Sequence, residues 1–139
     1  MVVVLVGVLA VVVLPRFDRQ PYDESAFLLE ATAALRYAQR LAVASGCPVR
    51  AVADAAADTL SLYFPNGTAS TCGSSTSFTV PVPAPRGGGP YVVAAANGVD
   101  LTSGATLYFD ALGRPQPGGA VLTVGSRSIV VEAQTGYVH

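Results

Sequence analysis

Lysine and tryptophan are absent from this sequence, and histidine occurs once, at His139. All eight cationic side chains are arginines scattered along 139 residues, and the formal net charge is −1. Phosphate binding requires clustered cations, so we do not expect nucleic acid as the main partner. A metal site would need ligands beyond two cysteines, and one histidine does not supply them. We therefore expect neither a metal nor another cofactor.

Catalytic constellations are missing as well. No nucleophile elbow or similar spacing of serine, aspartate and histidine supports a triad, so no catalytic residue and no enzyme activity are expected. The segment Arg86-Gly87-Gly88-Gly89 lies between prolines and lacks the strand and helix that a phosphate cradle needs, which predicts a flexible surface loop. Asn66-Gly67-Thr68 matches the glycosylation sequon, but Asn-Gly in a loop is mainly turn chemistry.

Only two cysteines occur, Cys47 and Cys72. In a small domain rich in glycine and proline, and in an oxidising compartment, such a pair is most simply one disulfide. The closed loop of about 25 residues would add roughly 3 kcal/mol of stability on the chain-entropy model. Two unrelated buried thiols are the alternative.

Charge is absent from the first fourteen residues, and Pro15, Arg16, Asp18 and Arg19 follow them. As a helix this run would be roughly 21 Å long, whereas the hydrocarbon layer is about 30 Å thick and asks for about 20 residues. The run is a short membrane span, a signal-peptide core, or the remainder of a longer span. No basic segment precedes it and no small-x-small cleavage site follows it, which disfavours the signal peptide. The expected membrane and assembly helix comprises Val2, Val3, Val4, Leu5, Val6, Gly7, Val8, Leu9, Ala10, Val11, Val12, Val13, Leu14 and Pro15.

A second helix is predicted after a kink between Pro15 and Pro21. It should begin near Asp23, a good N-cap, and it should end at Gly46, a natural C-cap. Between these residues, apolar side chains recur at helical spacing. The buried stripe is predicted to contain Phe27, Ala31, Ala34, Ala38 and Leu41, with Leu28, Leu35 and Ala42 beside them. Its small residues favour close packing on a flat partner such as a sheet.

From Pro48 onwards the hydrophobic period changes to two. VRAVAD and TLSLYF predict a hairpin, and the segment Pro81 to Pro90 is predicted to be exposed and irregular. Further strands are predicted around Phe78 and Val80 and at Tyr91 to Ala95, Thr106 to Asp110, Val121 to Val124 and Ser128 to Ala133. A long helix followed by an antiparallel sheet predicts an α+β fold with the helix laid on the sheet.

The apolar run that ends in Leu14-Pro15-Arg16-Phe17 resembles the N-terminal helix of type IV pilins and type II secretion pseudopilins. It is particularly similar to the minor pilins of the mannose-sensitive haemagglutinin (MSHA) pilus. Three later segments resemble the same minor pilins and the H-type pseudopilins. They are Ser45-Gly46-Cys47-Pro48-Val49, Phe109-Asp110-Ala111-Leu112-Gly113-Arg114-Pro115 and Thr135-Gly136-Tyr137-Val138-His139.

The resemblance implies the pilin fold and a structural role in a pilus or pseudopilus. Residues 1–22 would be the membrane-anchor and filament-core helix with its kink, and residues 23–139 the periplasmic headgroup. The chain would cross the bacterial inner membrane once and could enter an extracellular pilus after assembly. The implied partners are other pilin or pseudopilin subunits, the inner membrane and the assembly machinery.

Two features of the sequence predict opposite orientations in the membrane. Arg16 and Arg19 follow the apolar run, so the positive-inside rule applied to this chain alone would place the domain in the cytoplasm. A disulfide would place it outside. We favour the disulfide, because the basic leader of the resembling family keeps the N-terminus inside.

Two other functions stay open at this stage. One is a competence-type minor pilin that binds DNA through Arg86, Arg114 and Arg127. The other is a signal-anchored periplasmic domain without a filament role. Arg114 lies in a predicted turn, Gly113-Arg114-Pro115. The alternative to a purely structural role in that turn is that Arg114 contacts a neighbouring subunit or DNA.

The resemblance also predicts how the native protein starts. If Pro15 is aligned on the family's proline, about seven mature residues and a basic leader are expected upstream of Met1. N-terminal sequencing and intact mass of the protein from a membrane fraction should then give a methylated phenylalanine at that position. A start at Met1 would contradict pilin processing, and a start beyond Pro15 would indicate a cleaved signal peptide.

Overall fold

The structure is a computed structural model of the chain and describes residues 20–66, 72 and 77–139. The predicted membrane and assembly helix and most of the predicted kink lie outside these residues. Within the described ranges, no helix combines the length and the hydropathy that a membrane span requires.

The described helix, α1, spans Gln20–Ser45. Asp23 therefore lies inside the first turn, so the predicted N-cap at Asp23 was wrong. Pro21 is compatible with this earlier start, because a proline in the first turn gives up no hydrogen bond within the helix. Gly46 follows the helix with φ of +69°, the left-handed conformation of a C-cap glycine, as predicted.

One side of α1 is buried against a sheet. The buried side chains lie at helical spacing and four of the six are alanines, so the helix backbone comes close to the sheet. They are Phe27, Ala31, Ala34, Leu35, Ala38 and Ala42. Leu41, which was predicted in this stripe, packs at its margin and is partly buried. Leu35, by contrast, is fully buried.

In the described part of the chain, nine strands form two antiparallel sheets. The main sheet contains β1 (Val49–Asp54), β2 (Thr59–Phe64), β3 (Val80–Pro81), β4 (Val92–Ala94), β6 (Ala105–Phe109) and β7 (Pro115–Gln116). Its order is β3-β2-β1-β6-β7, and β4 also pairs with β2. The smaller sheet contains β5 (Leu101–Ser103), β8 (Ala120–Val124) and β9 (Arg127–Val131) in the order β5-β8-β9. The predicted α+β fold is confirmed.

The register of the main sheet follows the alternation of apolar residues. Ala51 lies opposite Leu62 on β2 and opposite Leu107 on β6, and all three side chains are buried. Since successive side chains on a strand point to opposite faces, this row and its neighbours face α1. The hairpin predicted from VRAVAD and TLSLYF is confirmed, with Asp54 paired to Thr59.

The segment between Pro81 and Pro90 is more ordered than predicted. Val82 is fully buried, its N–H donates to the Leu62 carbonyl, and its carbonyl accepts from Tyr91. Pro83 and Pro90 then pair across the base of a short exposed loop. The prediction of an irregular connection was wrong at this base and holds for the loop tip. Prolines alternate with the other residues in this segment, and a proline disfavours a strand in a sequence pattern. The apolar periodicity therefore did not predict the pairing.

The face of the main sheet away from α1 carries a cation between two aromatic rings. The Arg50 guanidinium carbon lies 5.7 Å from the Tyr63 ring centroid and 5.4 Å from that of Phe78. Its Nη2 also donates to the Phe78 carbonyl at 3.2 Å. Arg50 therefore holds the segment that follows the Cys72 loop against the sheet.

The disulfide predicted between Cys47 and Cys72 is present, with 5.2 Å between the two Cα atoms. Cys47 is buried directly after the C-cap of α1. The bridge joins the end of the helix to the connection between β2 and β3.

Close helix–sheet packing makes a direct prediction. We expect Ala38→Leu to lower the free energy of unfolding by about 1–3 kcal/mol, because the fully buried site has no room for a larger side chain. Ala33→Leu, on the exposed side of the same helix, should change it by less than about 0.5 kcal/mol. Urea unfolding followed by circular dichroism measures both, and equal effects would contradict the packing described here.

Candidate functional site

The side of α1 that faces away from the sheet carries uncovered apolar residues. Tyr22, Leu29 and Val43 have 79%, 72% and 53% of their surface exposed. Positions separated by seven residues lie close to one line along a helix, and Ala26 and Ala33 lie beside that line and are also exposed. We call these five residues the outer stripe. The outer stripe therefore lies opposite the buried side of α1, and exposed Arg36 interrupts it between Leu29 and Val43.

Charged residues on α1 are segregated along its length. Asp23, Glu24 and Glu30 lie in the N-terminal half, and Arg36 and Arg40 lie in the C-terminal half. The ion pairs within the described residues, Asp110 with Arg114 and Glu132 with His139, include none of them. The N-terminal half of α1 is therefore acidic and its C-terminal half basic. The carboxylates lie towards the sheets, since a Cβ atom at Gly125 would lie 2.6 Å from Glu24 Oε1, and Asp23 and Glu30 line a cavity with Ala94.

Near its C-terminal end, α1 binds two late segments of the chain together. The Gln39 Nε2 group donates to the Gly113 carbonyl at 2.9 Å and to the Thr135 carbonyl at 3.0 Å. Gly136 lies so close that a Cβ atom there would overlap the Gly113 carbonyl oxygen and would lie 2.7 Å from Gln39 Nε2. We call Gln39, Gly113, Thr135 and Gly136 the Gln39 corner. It brings together the predicted motifs 109–115 and 135–139.

Arg114 lies in the turn before β7, as predicted, and its side chain is 52% exposed. Its Nε is 3.4 Å from Asp110 Oδ2, while Asp110 Oδ1 accepts from the backbone N–H groups of Leu112 and Arg114. Burial alone would raise the pKa of Asp110. The hydrogen bonds from Arg114, Leu112 and Gln116 and the charge of Arg114 outweigh burial, and the pKa is lowered. Ionised Asp110 therefore stabilises this turn fully at pH values above the ordinary pKa of an aspartate. This contribution is lost as the pH falls through the lowered pKa of Asp110.

The C-terminal segment returns along β9. Val138 pairs with Val131, and the His139 backbone exchanges hydrogen bonds with Val130 at 2.7 and 3.0 Å. The His139 ring lies 2.8 Å from Glu132 Oε1 and stacks on Tyr137. His139 thus belongs to a local contact between side chains.

Three arginines considered for DNA binding lie on different elements. Arg127 donates to Ser25 Oγ at 2.8 Å, near the N-terminal end of α1. Arg114 follows Gly113, whose carbonyl accepts from Gln39. Gln39 lies about 21 Å further along α1 than Ser25. Arg86 lies at the exposed tip of the loop between Pro83 and Pro90. The structure does not bring them into one patch.

The Asn66 sequon has a structural role, and the described residues offer no ligand set for a metal. The Asn66 side chain is already engaged, since its Nδ2 donates to Ser77 Oγ at 3.2 Å and its Oδ1 accepts from the Thr79 backbone N–H at 3.2 Å. Across the described residues, no cluster of histidine, cysteine, aspartate and glutamate could hold a metal ion. An open cavity beside the acidic half of α1 is lined by Asp23, Ala26, Phe27, Glu30, Ala94 and Ala96.

Sequence reasoning missed the outer stripe and the Gln39 corner. Leu29 follows Leu28 and Val43 lies between two alanines, so neither stands out from the apolar pattern of the buried side. The contact of Gly113 with Gly136 is long-range, and nothing in the local pattern of either residue indicates it. The available signal was the spacing of Tyr22, Leu29 and Val43, which are seven and fourteen residues apart.

The Gln39 corner generates a prediction about glycine. Gly136→Ala should lower the free energy of unfolding by about 2 kcal/mol or more, because φ at Gly136 is +70° and a Cβ would also overlap the Gly113 carbonyl. Gly118→Ala is the matched control, since nothing lies within 4 Å of its Cβ position, and it should be neutral within about 0.5 kcal/mol. Thermal unfolding compares the two, and a neutral Gly136→Ala would contradict the contact.

Comparison with known proteins gives structural matches only. No protein-family model and no curated protein sequence matches the chain. Two crystal structures of the type IV minor pilin FimU from Pseudomonas aeruginosa are similar to it. The first is 17% identical with a TM-score of 0.60 and covers 87% of this chain and 90% of FimU. The second is 16% identical with a TM-score of 0.56 and covers 83% of this chain and 90% of FimU. These neighbours are pilins and not enzymes, and the chain has the pilin fold that they share.

Proposed function

We propose that the chain is a subunit of a type IV pilus or of a type II secretion pseudopilus and acts by assembling into the filament. The observation that carries this proposal is the outer stripe. A helix of the pilin fold leaves Tyr22, Leu29 and Val43 uncovered on the side opposite to its own sheet. Exposed apolar side chains in a line favour burial by another protein chain.

The dimensions of the outer stripe fit contact with other helices. From Tyr22 to Val43 it extends for roughly 32 Å along α1. Ala26 and Ala33 keep its N-terminal half low beside Tyr22 and Leu29, so a second helix can approach closely there. A binding pocket for a small molecule would be shorter and concave.

The segment before α1 supplies the membrane stage of this function. Residues 1–22 would anchor the subunit in the inner membrane and later pack among equivalent helices in the filament core. Residues 23–139 would form the headgroup on the periplasmic side. The Cys47–Cys72 disulfide supports this orientation, because disulfides persist in oxidising compartments.

Within the superfamily, we propose a minor pilin of the MSHA type or an H-type pseudopilin. The support is that motifs 109–115 and 135–139, which carry that resemblance, are in contact at the Gln39 corner. Processing by a prepilin peptidase and methylation of the new N-terminus belong to the same proposal.

A substitution on the outer stripe tests the assembly function. Leu29→Glu should reduce the amount of the protein in sheared filaments at least tenfold, because it removes a leucine that the filament contact would bury, worth about 1.5–3 kcal/mol, and places a carboxylate in that contact. Its thermal stability should stay unchanged, since Leu29 is 72% exposed.

Val121→Glu is the matched control, because Val121 is 51% exposed on β8 and lies away from the outer stripe. It should enter filaments as the unchanged protein does. Filament levels of Leu29→Glu equal to those of the control would contradict a filament contact through the outer stripe.

A further inference from the structure

Strand β4 lies at an edge of the main sheet, and its pairing with β2 uses only some of its backbone groups. The Ala95 N–H, just beyond the end of β4, donates to the Asp58 carbonyl at 2.9 Å. In an antiparallel pair, residues that are hydrogen-bonded to the partner alternate with residues whose N–H and C=O groups point away from it. Val93 is therefore also hydrogen-bonded to β2, whereas the backbone groups of Val92 and Ala94 point outwards.

These outward groups are open to another chain. Within the described part of the chain, nothing forms a hydrogen bond with them, and both Val92 and Ala94 are exposed. An extended peptide can add to an edge of this kind as a further strand. Each of the two residues offers one donor and one acceptor to such a strand.

An open cavity of about 110 Å³ lies between this edge and the N-terminal half of α1. Asp23 and Glu30 line it from the helix, and the small side chains of Ala26 and Ala96 leave it open. Cavities that bind small-molecule ligands measure about 300 Å³ or more, so this one fits a single side chain of a larger partner. We call the outward edge of β4 and this cavity the β4 groove.

The carboxylates of the β4 groove lack a cation. Neither Asp23 nor Glu30 forms an ion pair among the residues that the structure describes. Burial raises the pKa of the Tyr91 hydroxyl, and Tyr37 and the charge of Glu30 raise it further, so Glu30 lies close to Tyr91. The Tyr91 ring stacks on that of Tyr37 with 5.4 Å between centroids. This stack bounds the groove at the Val92 end of β4, because Tyr91 directly precedes Val92.

From these observations we infer that the β4 groove binds an extended, basic segment of another protein, which adds to the main sheet as a strand beside β4. Successive side chains of that strand point to opposite faces of the sheet. One set faces α1, where arginine or lysine side chains reach Asp23 and Glu30. The other set lies beside Val92, whose side chain is 47% exposed on the opposite face.

Backbone and charge have different roles in this contact. Hydrogen bonds along β4 are made by any extended segment, so they supply affinity without selecting a sequence. The two carboxylates select the segment, because an acidic one is repelled and an apolar one would cover them without a partner. This binding goes beyond the proposed function and does not use the outer stripe.

A synthetic peptide tests the inference on the full chain in a non-ionic detergent. The probe is a fluorescein-labelled hexapeptide in which arginine alternates with threonine, and fluorescence anisotropy measures its binding. We expect saturable binding. The same peptide with glutamate in place of arginine should bind at least tenfold more weakly, because its charges repel Asp23 and Glu30.

Methylation of the peptide nitrogens separates strand addition from attraction between charges. In an antiparallel strand with its arginines towards α1, the threonine N–H groups face β4 and the arginine N–H groups face away. Methylation of the threonine nitrogens should therefore weaken binding at least tenfold, and methylation of the arginine nitrogens should leave it unchanged. The opposite pattern also supports strand addition and identifies a parallel strand.

Variants of the chain locate the site. Ala94→Pro should weaken binding at least tenfold, because it removes an outward donor while proline is tolerated at a sheet edge whose N–H faces solvent. Asp23→Asn combined with Glu30→Gln should weaken binding roughly three- to tenfold, the effect of two exposed ion pairs. Glu132→Gln is the matched control, since Glu132 contacts His139 and lies outside the β4 groove. It should bind as the unchanged chain does.

Three outcomes overturn the inference. They are no binding of the unmodified probe at millimolar concentration, equal binding of the unmodified peptide and both methylated peptides, and unchanged binding by Ala94→Pro. Leu29→Glu should bind the probe normally, because Leu29 lies on the outer stripe. Loss of filament assembly and loss of peptide binding are therefore separate results.

Discussion

Alanine side chains on one side of α1 bring the helix backbone close to the main sheet, and the rest of the headgroup is arranged around that approach. Ala31, Ala34, Ala38 and Ala42 are fully buried, and the volume between helix and sheet is filled mainly from the sheet, by residues such as Leu62 and Phe109. Because interiors are packed as densely as crystals, this short separation leaves no choice of helix rotation. The rotation in turn decides that Tyr22, Leu29 and Val43 face outwards.

Periodicity predicted the elements that repeat. The 3.6-residue spacing around Ala31 and Ala38 indicated the buried side of α1, and the alternation from Val49 to Phe64 indicated the central hairpin with its register. Of the strands of two or three residues, β3 and β4 were predicted, whereas β5 and β7 were missed, because no period is visible over such lengths. β7 begins with Pro115, a residue that occurs in sheets at edges and bulges and disfavours a strand in a sequence pattern.

The candidate site was harder to predict than the fold, because its parts are distant in sequence. Gln39 contacts residues 74 and 96 positions further along the chain. Its neighbourhood in sequence indicates only an exposed polar position on a helix. Motifs 109–115 and 135–139 were recognised separately, and the reason for their glycines becomes visible only where Gly136 meets the Gly113 carbonyl. Arg114 was recognised in its turn, but its pairing with Asp110 gives it a local partner.

The loop between Pro83 and Pro90 closes on itself, and that has a consequence for how such a headgroup can change during evolution. Pairing of Pro83 with Pro90, together with the Tyr91 to Val82 hydrogen bond, fixes its base independently of its length. Doubling a flexible loop costs only about 0.6 kcal/mol of closure entropy. Insertions at Arg86 to Gly89 would therefore leave α1, the main sheet and the Gln39 corner undisturbed. New surface specificities could arise there while the helix that contacts neighbouring chains stays the same.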